Sequence, residues 1–371
     1  MFVANKYLKP GMILEKDVLY QKNNIETVLL AEGQALNDFQ INRIKFLDLK
    51  GAYIKSDTFN NLYVEPEINT ALRNKALNNI REVYHELGNE GKITPLSINT
   101  FSEVVNDLIY EISEKMELSS GLIKFKNYDE YTYQHCLNVA NLNISTGISM
   151  GLNDNILHDL GMVGLLHDIG KTLIPIEIVN KPEKLTQEEF QIMKTHPSKA
   201  VQILKNLVSE DILNGIESHH EKLDGTGYPN RISKGDIPLY GRITAICDVY
   251  HALSSDRSYR KTCFPNEVIE YLMGCVDSHF DYEILKVFLK NVVAFPAGSF
   301  VKLSNGKTAI VIKNYKDNLM RPIVRIINPN NTSGGDIDLF NDERVMNITI
   351  TESEYEIDNI DYNSISREYI G

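Results

Sequence analysis

The chain has 371 residues, enough for two or three compact units, and its 43% apolar and 24% charged residues are ordinary for a soluble globular protein. No run approaches the ~20 apolar residues of a membrane helix, and the first ten residues lack both the basic head and the apolar core of a secretory signal, so we expect a cytoplasmic protein without a membrane partner. The net charge of −12 argues against DNA, RNA or an anionic membrane as a partner, although bound divalent metals could still attract a small phosphate substrate into one cleft.

Residues 1–60 are predicted to form a small α/β unit. Met12–Tyr20 and Thr27–Ala31 are strand-like runs, and Asn37–Leu47 suits a short helix. Asn37 and Gln40 have the spacing of a capping box, in which each side chain hydrogen-bonds the backbone N–H of the other residue. The unit shows no chemistry of its own, so its role is left open.

The rest of the chain divides into four segments by residue composition and predicted secondary structure. Residues 61–125 are mainly helical and are interpreted as a connector, and residues 126–290 form a long helical stretch with Gly- and Pro-rich loops. Residues 296–350 contain short β-like runs, with a hairpin signal at Asn305–Gly306. Residues 351–371 are acidic and predicted to be an exposed tail. The predicted fold class is therefore mainly α, a helical bundle flanked by small β-containing units.

The middle domain, residues 126–290, holds eight of the nine histidines. Five of them and two aspartates lie in surroundings that suggest a metal site, because imidazole and carboxylate together are ligands for Fe, Mn, Zn or Ni. In chain order these seven are His135, His167, Asp168, His196, His219, His220 and Asp248. The four cysteines show no paired spacing and are expected to be reduced thiols. They are Cys136, Cys247, Cys263 and Cys275.

Helix geometry makes the grouping of these side chains plausible. His135 lies at the edge of an apolar stripe and is therefore expected near the core. Adjacent residues on a helix point about 100° apart, so His167 and Asp168 can address different metals. The two oxygens of Asp168 can bridge two ions, and ions roughly 3.5–4 Å apart could bind one hydroxide and a phosphodiester. A second pair, His158–Asp159, is expected to serve ordinary surface or packing contacts, since the dipeptide alone is a weak signal.

Three motifs resemble the signatures of HD-GYP phosphodiesterases, members of the HD superfamily of metal-dependent phosphohydrolases. Leu165–Lys171 (LLHDIGK) is similar to the HD signature, and His219–Pro229 (HHEKLDGTGYP) is similar to the second signature with its GYP triplet. Asp129–His135 (DEYTYQH) is similar to the upstream motif of the family. The remaining landmarks follow in order as Lys181–Pro182, His196–Pro197 and Asp248–Arg260. The resemblance implies an all-α HD-GYP bundle that holds metals between its helices.

The resemblance also implies a role for each matching residue. The seven histidine and aspartate side chains would be the metal ligands, and Asp168 would also take part in catalysis. Lys171 would be catalytic as well, by reaching a phosphate oxygen of the substrate. The residues implied in substrate binding are Arg257, Arg260, Tyr228, Gly225 and Gly227.

The activity implied is hydrolysis of the bacterial second messenger cyclic di-GMP to linear pGpG, by a hydroxide bound between two divalent ions, Fe or Mn. Further cleavage to GMP is left open. One alternative is an HD-type phosphohydrolase acting on another nucleotide, another cyclic dinucleotide or RNA, which the HD core alone would permit. A second alternative is a catalytically poor module that binds cyclic di-GMP or a partner protein. The sequence also leaves open a homodimer and signalling-protein partners.

Two positions depart from the family pattern. Some members hold a third metal with a glutamate four residues before the first histidine ligand, where this chain has Tyr131, so two metals are favoured. The family usually has an aspartate three residues after the last ligand aspartate, where this chain has His251. That exchange is expected to alter a hydrogen bond behind a metal ligand.

Overall fold

The computed structural model of the chain describes residues 2–5, 8–22, 25–47, 49, 51–55, 69–115, 131–181, 183–254, 263–315, 318–328 and 333–354. The chain divides into two units, of which the first comprises Met1–Val64 together with Phe295–Gly371 and the second comprises Glu65–Ala294. Among the described residues, no helix combines the length and the apolar character needed to cross a membrane.

The first unit is built mainly from short antiparallel strands. Its N-terminal elements are β1 (Phe2–Ala4), β2 (Val18–Lys22), β3 (Ile25–Leu30), α1 (Asp38–Phe46) and β4 (Gly51–Tyr53). Its C-terminal elements are β5 (Phe300–Leu303), β6 (Thr308–Tyr315), β7 (Asn318–Ile327), β8 (Ser333–Asp338) and β9 (Ile350–Glu354). β1 pairs with β4, β2 pairs with β3, and the last five strands form one sheet in the order β8-β7-β6-β5-β9.

In this unit the structure confirms the predicted helix cap and hairpin but not the full length of one predicted strand. The capping box of α1 is present, with Asn37 Oδ1 accepting from the Gln40 N–H at 3.0 Å and the Gln40 side chain accepting from the Asn37 N–H at 2.8 Å. β5 and β6 form the hairpin predicted around Asn305–Gly306. The strand predicted over Met12–Tyr20 is wrong for its first half, where only single bridges form, because those residues pair with short separate segments.

Residues from both ends of the chain share the hydrophobic core of the first unit. Leu14, Ile44 and Ile54 come from the N-terminal segment, and Phe300 and Ile310 come from the C-terminal sheet. The segments that the sequence suggests as separate flanking units therefore bury their apolar faces together. The sheet also continues to residue 354 and so includes the first four residues of the expected acidic tail.

The second unit is helical throughout most of its described length, which confirms the mainly α fold class. Its helices are α2 (Thr70–Glu90), α3 (Pro95–Lys115), α4 (Tyr131–Ser149), α5 (Asp154–Leu166), α6 (Ile176–Val179), α7 (Gln187–Met193), α8 (His196–Leu204), α9 (Glu210–Ser218), α10 (Leu239–Ser254), α11 (Pro265–Gly274) and α12 (Tyr282–Phe288). A 3₁₀ turn over Ile169–Leu173 follows α5. Side-chain caps define several helix starts, because an Asn or Ser oxygen accepts a backbone N–H that the helix leaves unpaired. Asn153 caps α5 in this way, and Ser209 caps α9.

One apolar core joins α2 and α3 to the helices that follow them. Val104 and Leu108 of α3 are buried together with Cys136, Ala140 and Ile144 of α4. The apolar stripe predicted beside His135 on α4 is therefore confirmed, and it packs against α3 within a single bundle. This core fixes the ends of α4, α5, α8, α9 and α10 relative to one another, and the candidate site lies where these helices converge.

Candidate metal centre

Five helices each bring one or two polar side chains to a common point inside the second unit. His135 lies on α4, and Asp248 lies on α10. The remaining members lie at helix ends: His167 and Asp168 follow α5, His196 begins α8, and His219 and His220 follow α9. All are buried except His220, which is half-buried. The structure thus brings together all seven residues that the sequence predicts as metal ligands.

Three of these histidines are oriented by backbone carbonyl groups. The Nδ1–H of His167 donates to the Gly164 carbonyl at 2.8 Å, that of His196 donates to the Met193 carbonyl at 2.9 Å, and that of His219 donates to the Ile216 carbonyl at 2.6 Å. A carbonyl oxygen only accepts hydrogen bonds, so the ring proton must sit on Nδ1. The Nε2 atom of each ring therefore directs a lone pair into the cluster, as a metal ligand requires.

Asp168 stands between two groups of imidazoles. Its Oδ2 lies 3.5 Å from His167 Nε2 and 3.8 Å from His135 Nε2, whereas its Oδ1 lies 3.4 Å from His196 Nε2. Oδ1 is buried and has no hydrogen-bond partner among the described residues. A buried carboxylate oxygen without a proton donor is costly unless a cation neutralises it. The arrangement suits a carboxylate that bridges two cations.

Asp248 closes the cluster on the other side. Its Oδ1 lies 3.0 Å from His135 Nε2 and 4.0 Å from His167 Nε2, and its Oδ2 lies 3.9 Å from His220 Nδ1. The imidazole nitrogens also approach one another, with 3.3 Å between the Nε2 atoms of His135 and His167. Lone pairs facing each other at such distances are stabilised by a cation placed between them.

Three overlapping groups of donor atoms could each hold a divalent metal. Within each group the ligand atoms lie no more than 4.8 Å apart. The groups are His135, His167 and Asp168; His196, His219 and His220; and His167, His219 and Asp248. The donor atoms are imidazole nitrogens and carboxylate oxygens, which suit first-row transition metals. These residues therefore fit the metal dependence implied by the sequence.

Burial keeps four of the imidazoles, His135, His196, His219 and His220, in the neutral form that binds metals. It lowers the pKa of His196 to about 3 and that of His220 to about 4. Burial also lowers the pKa of His135 and holds the pKa of His219 well below its ordinary value. Because protonation removes the ligand lone pair, these depressed pKa values leave the nitrogens available to a metal at neutral pH.

The two aspartates carry negative charge despite their burial. Burial by itself would raise the pKa of each carboxyl group, but nearby positive and polar groups outweigh it. Lys171 is the strongest of these beside Asp168, with its Nζ 2.6 Å from Oδ2. The contact with His135 acts in the same way on Asp248. Both carboxyl groups therefore have pKa values well below their ordinary value, and both are anionic.

Lys171 lies at the rim of the cluster rather than inside it. Its side chain is 28% exposed, whereas that of Asp168 is 3% exposed. The ammonium group can thus contact both the buried carboxylate and a molecule that approaches from solvent. This placement is consistent with the phosphate contact that the sequence suggests for Lys171.

The loop after His220 forms one wall beside the cluster. The Tyr228 ring lies over the His220 ring, with 4.7 Å between their centroids and a 34° angle between their planes. Gly225 adopts a positive φ of 75°, which favours glycine. At Gly227 a Cβ atom would come within 2.5 Å of the Glu221 Cα, so a larger residue would push the loop away.

Glu221 is a structural member of this loop that sequence reasoning missed. Its Oε1 accepts the backbone N–H groups of Asn230 at 2.6 Å and Arg231 at 2.9 Å. The carboxylate therefore ties the far end of the loop to the histidine pair that precedes it. Its position could have suggested this role, because it is an acidic residue directly after two candidate ligands and at the start of a loop.

A second group that sequence reasoning missed lies on and beside α7. The Lys194 Nζ stands 4.7 Å from the centroid of the Phe190 ring and 5.5 Å from that of Tyr228. Phe190 also lines a cavity of about 490 Å³ with Gln187, Glu188 and Gln191. α7 begins with a capping box, Thr186 with Glu189, which marks a helix start but no function. The proximity of its aromatic and basic side chains to Tyr228 depends on tertiary structure.

The structure does not describe some of the residues that the sequence predicts at the site. Arg257 and Arg260 lie outside the described residues, and the structure does not describe the side chain of Tyr131. The second His-Asp pair is described, and it lies apart from the cluster. His158 Nε2 contacts the Ser102 hydroxyl at 2.7 Å, and the Tyr240 hydroxyl donates to Asp159 at 3.3 Å. The prediction that this pair serves packing is confirmed.

The cysteines next to two proposed ligands take no part in the cluster. Cys136 and Cys247 are free and buried. Burial raises the pKa of Cys136 to about 12 and also raises that of Cys247. Both are therefore protonated thiols, and a thiol is a poor metal ligand. Cys263 and Cys275 likewise form no disulfide with a described residue, which agrees with the prediction of reduced cysteines.

Comparison with known proteins agrees with this geometry. Residues 113–284 match the family model described as HD domain. A cyclic di-GMP phosphodiesterase of Pseudomonas aeruginosa is 35% identical over 227 residues, which span 61% of this chain and 55% of that protein. The 3'3'-cGAMP-specific phosphodiesterase 2 of Vibrio cholerae is 41% identical over 129 residues, which span 34% of this chain and 25% of that protein. The chain thus spans about half the length of the first relative and a quarter of the second.

A solved structure extends the comparison to the fold. An HDG"Y"P protein of Bdellovibrio bacteriovorus superposes with a TM-score of 0.51 and 17% sequence identity, over 78% of this chain and 97% of that chain. At this identity the likeness concerns the fold alone. The match to the HD domain model covers residues 113–284, which contain all seven proposed metal ligands and both signature motifs, LLHDIGK and HHEKLDGTGYP.

Proposed function

We propose that this chain is a phosphodiesterase that hydrolyses cyclic di-GMP to linear pGpG at a centre of two divalent metal ions. The observation that carries the proposal is the position of Asp168. Its Oδ2 faces His135 and His167, its Oδ1 faces His196, and Oδ1 has no proton donor among the described residues. The named relatives that act on cyclic dinucleotides support the substrate class.

The proposed ligand set assigns His135, His167 and Asp248 to one ion, with Asp168 shared between the two. The second ion would be held by His196, His219 and His220. The remaining donor group takes His167 and His219 from these two sets, so it does not by itself require a third ion. The set contains no thiolate, and imidazole with carboxylate favours Fe or Mn over soft metals.

The protein's contribution to catalysis would be positioning and charge. Divalent ions in such a centre neutralise the phosphodiester and lower the pKa of water. Asp168 and Asp248 supply the negative charge that retains the ions, and neutral imidazoles complete the set without adding charge. Lys171, at the rim, is placed to donate a hydrogen bond to a phosphoryl oxygen and stabilise its growing charge.

Substrate recognition is assigned to the side chains that border the centre. Tyr228 packs on His220 and faces the cation of Lys194, which gives the site an aromatic and basic wall. Arg257 and Arg260 are proposed to grip the dinucleotide, because arginine can bind phosphate or the guanine O6 and N7 atoms in a bidentate manner. Gly225 and Gly227 would shape the loop that presents Tyr228.

A second candidate substrate is 3'3'-cGAMP, favoured by the 41% identity to the Vibrio cholerae enzyme over the compared segment. Both cyclic dinucleotides present two phosphodiesters to the metals, and they differ in one base. The discrimination must therefore come from base contacts rather than from the metal centre.

A product assay tests these alternatives. The protein, loaded anaerobically with Fe(II) or with Mn(II), is incubated with equal concentrations of cyclic di-GMP, 3'3'-cGAMP and cyclic di-AMP, and linear products are quantified by chromatography and mass spectrometry. We expect cyclic di-GMP to be cleaved fastest, and Arg260→Ala to raise the Michaelis constant for it more than it lowers kcat. Faster cleavage of 3'3'-cGAMP would select the second candidate, and binding of cyclic di-GMP without turnover would indicate a binding module.

A further inference from the structure

The hydrogen bond behind His135 differs from those behind the other buried histidines of the cluster. His167, His196 and His219 each donate Nδ1–H to a backbone carbonyl, which can only accept. The Nδ1 of His135 instead lies 2.8 Å from the Nδ1 of His251. A neutral imidazole can donate through one nitrogen and accept through the other, so this partner does not fix the tautomer of His135 by itself.

The two ring nitrogens, 2.8 Å apart, share one proton. Its position decides whether His135 Nε2 carries a lone pair or a proton. If the proton belongs to His135 Nδ1, the Nε2 atom directs a lone pair into the cluster and can bind a metal. If the proton belongs to His251, His135 carries its own proton on Nε2 and donates it to Asp248 Oδ1, 3.0 Å away. Only the first arrangement makes His135 a ligand.

The other face of His251 is held by an amide. Asn138 Nδ2 lies 2.9 Å from His251 Nε2, and Asn138 is three residues from His135 on α4. As placed, the amide NH₂ donates to Nε2, which puts the ring proton of His251 on Nδ1. A half-turn of the amide brings its oxygen to Nε2 instead; the ring proton of His251 then lies on Nε2, and its Nδ1 can accept from His135. His251 itself is buried on α10, three residues after Asp248.

We propose that Asn138 and His251 form a positioning relay that sets the ligating tautomer of His135. In the metal-binding arrangement, His135 Nδ1–H donates to His251 Nδ1, and His251 Nε2–H donates to the Asn138 side-chain oxygen. The relay rests on the metal centre proposed above but not on the identity of its substrate. Because a carboxylate only accepts, an aspartate at position 251 would hold the same tautomer without help from Asn138.

Metal affinity without substrate tests the relay. Dissociation constants for Zn(II) and Mn(II) are measured by competition with a coloured chelator for the wild-type protein, His251→Phe and His251→Asp. We expect His251→Phe to weaken binding by roughly 10–100-fold, the usual effect of removing a hydrogen bond behind a metal ligand, and His251→Asp to match or exceed the wild type. Thr244→Ala removes another buried polar group of α10, which accepts from Asn143, and should leave metal affinity unchanged.

Unchanged metal affinity in His251→Phe would overturn the relay. An equal loss of affinity in His251→Asp would also overturn it, because both substitutions would disturb a residue that serves only packing.

A second measurement uses the wild-type protein and needs no variant. In protein with ¹⁵N-labelled histidine and bound Zn(II), long-range ¹⁵N–¹H spectra should show a protonated Nδ1 on His135 and a protonated Nε2 on His251. An unprotonated His135 Nδ1 would contradict the proposal. Neither measurement uses a nucleotide. The relay can therefore be wrong while the phosphodiesterase proposal is right, and the phosphodiesterase proposal can be wrong while the relay is right.

Discussion

At the scale of single residues, two identical dipeptides show how surroundings decide a side chain's role. His158–Asp159 and His167–Asp168 both belong to the region around α5. Asp159 accepts from the Tyr240 hydroxyl and serves the packing of α5 against α10. Asp168 is buried among imidazoles, and its Oδ1 has no proton donor among the described residues. The same pair is thus structural at one position and fits a metal at the other.

The matched pair gives a direct prediction. Asp168→Ala removes the carboxylate between the two imidazole groups, so we expect metal content to fall by at least one ion per chain and cyclic di-GMP turnover to fall below detection. Asp159→Ala should keep both properties close to wild type. Elemental analysis and the product assay check the outcome, and full metal content in Asp168→Ala would rule out its bridging role.

At the scale of elements, the site depends on how closely the 3₁₀ turn after α5 approaches α8. A Cβ atom on Gly170 would lie 2.0 Å from the His196 carbonyl oxygen and 2.7 Å from the Ala200 backbone nitrogen. Both are backbone atoms, so a side chain at this position could be admitted only if the two elements moved apart. This contact keeps Asp168, at the start of the turn, beside His196, at the start of α8.

Gly170→Ala should therefore damage stability and the metal centre together. Overpacking of this kind costs about 1–3 kcal/mol in the free energy of unfolding, and the separation of Asp168 from His196 should weaken metal binding at least 10-fold. Gly88→Ala is the control, because the exposed Gly88 of α2 has no atom near its missing Cβ, and alanine there should stabilise by about 0.5–1 kcal/mol. Urea unfolding and chelator competition measure both effects. Unchanged metal affinity in Gly170→Ala would show that this contact does not position His196.

At the scale of the whole molecule, the chain has two units, and the candidate metal site lies in one of them. The seven residues proposed as metal ligands all belong to the second unit, Glu65–Ala294, whereas the ends of the chain build the first unit around one core. A ligand that binds one folded unit stabilises that unit by mass action, by about 2.7 kcal/mol when its concentration is 100 times its dissociation constant.

Metal binding should consequently be visible as unequal protection from hydrogen exchange. With Mn(II) at 100 times its dissociation constant, amides of α4, α5, α8 and α10 that exchange through opening of the second unit should exchange about 100-fold more slowly. Amides of β6 and β7 in the first unit should keep their rates. Mass spectrometry of peptides from chain with and without a chelator gives the comparison. Equal slowing in both units would contradict a centre confined to the second.

The amino-acid sequence by itself determined the local features and the chemistry of the candidate site. Capping residues, such as Asn37 with Gln40, act within one helical turn, so their prediction needs no knowledge of the rest of the chain. The apolar stripe through Ala140 and Ile144 showed which face of α4 is buried. The histidines and aspartates limited the possible ligand chemistry to that of a transition-metal site, and the resemblance of their motifs to HD-GYP signatures indicated an HD-type site.

Only the tertiary structure decided which distant groups meet. Periodicity shows that a face is buried but not what it is buried against. The family resemblance indicated that residue 251 lies behind a metal ligand, but not that this ligand is His135, 116 positions away. Nothing in the sequence indicated that Glu221 holds the backbone at Asn230. The sequence also did not show that the two ends of the chain share a core. Each of these contacts depends on the packing of several elements at once, and no short segment encodes that packing alone.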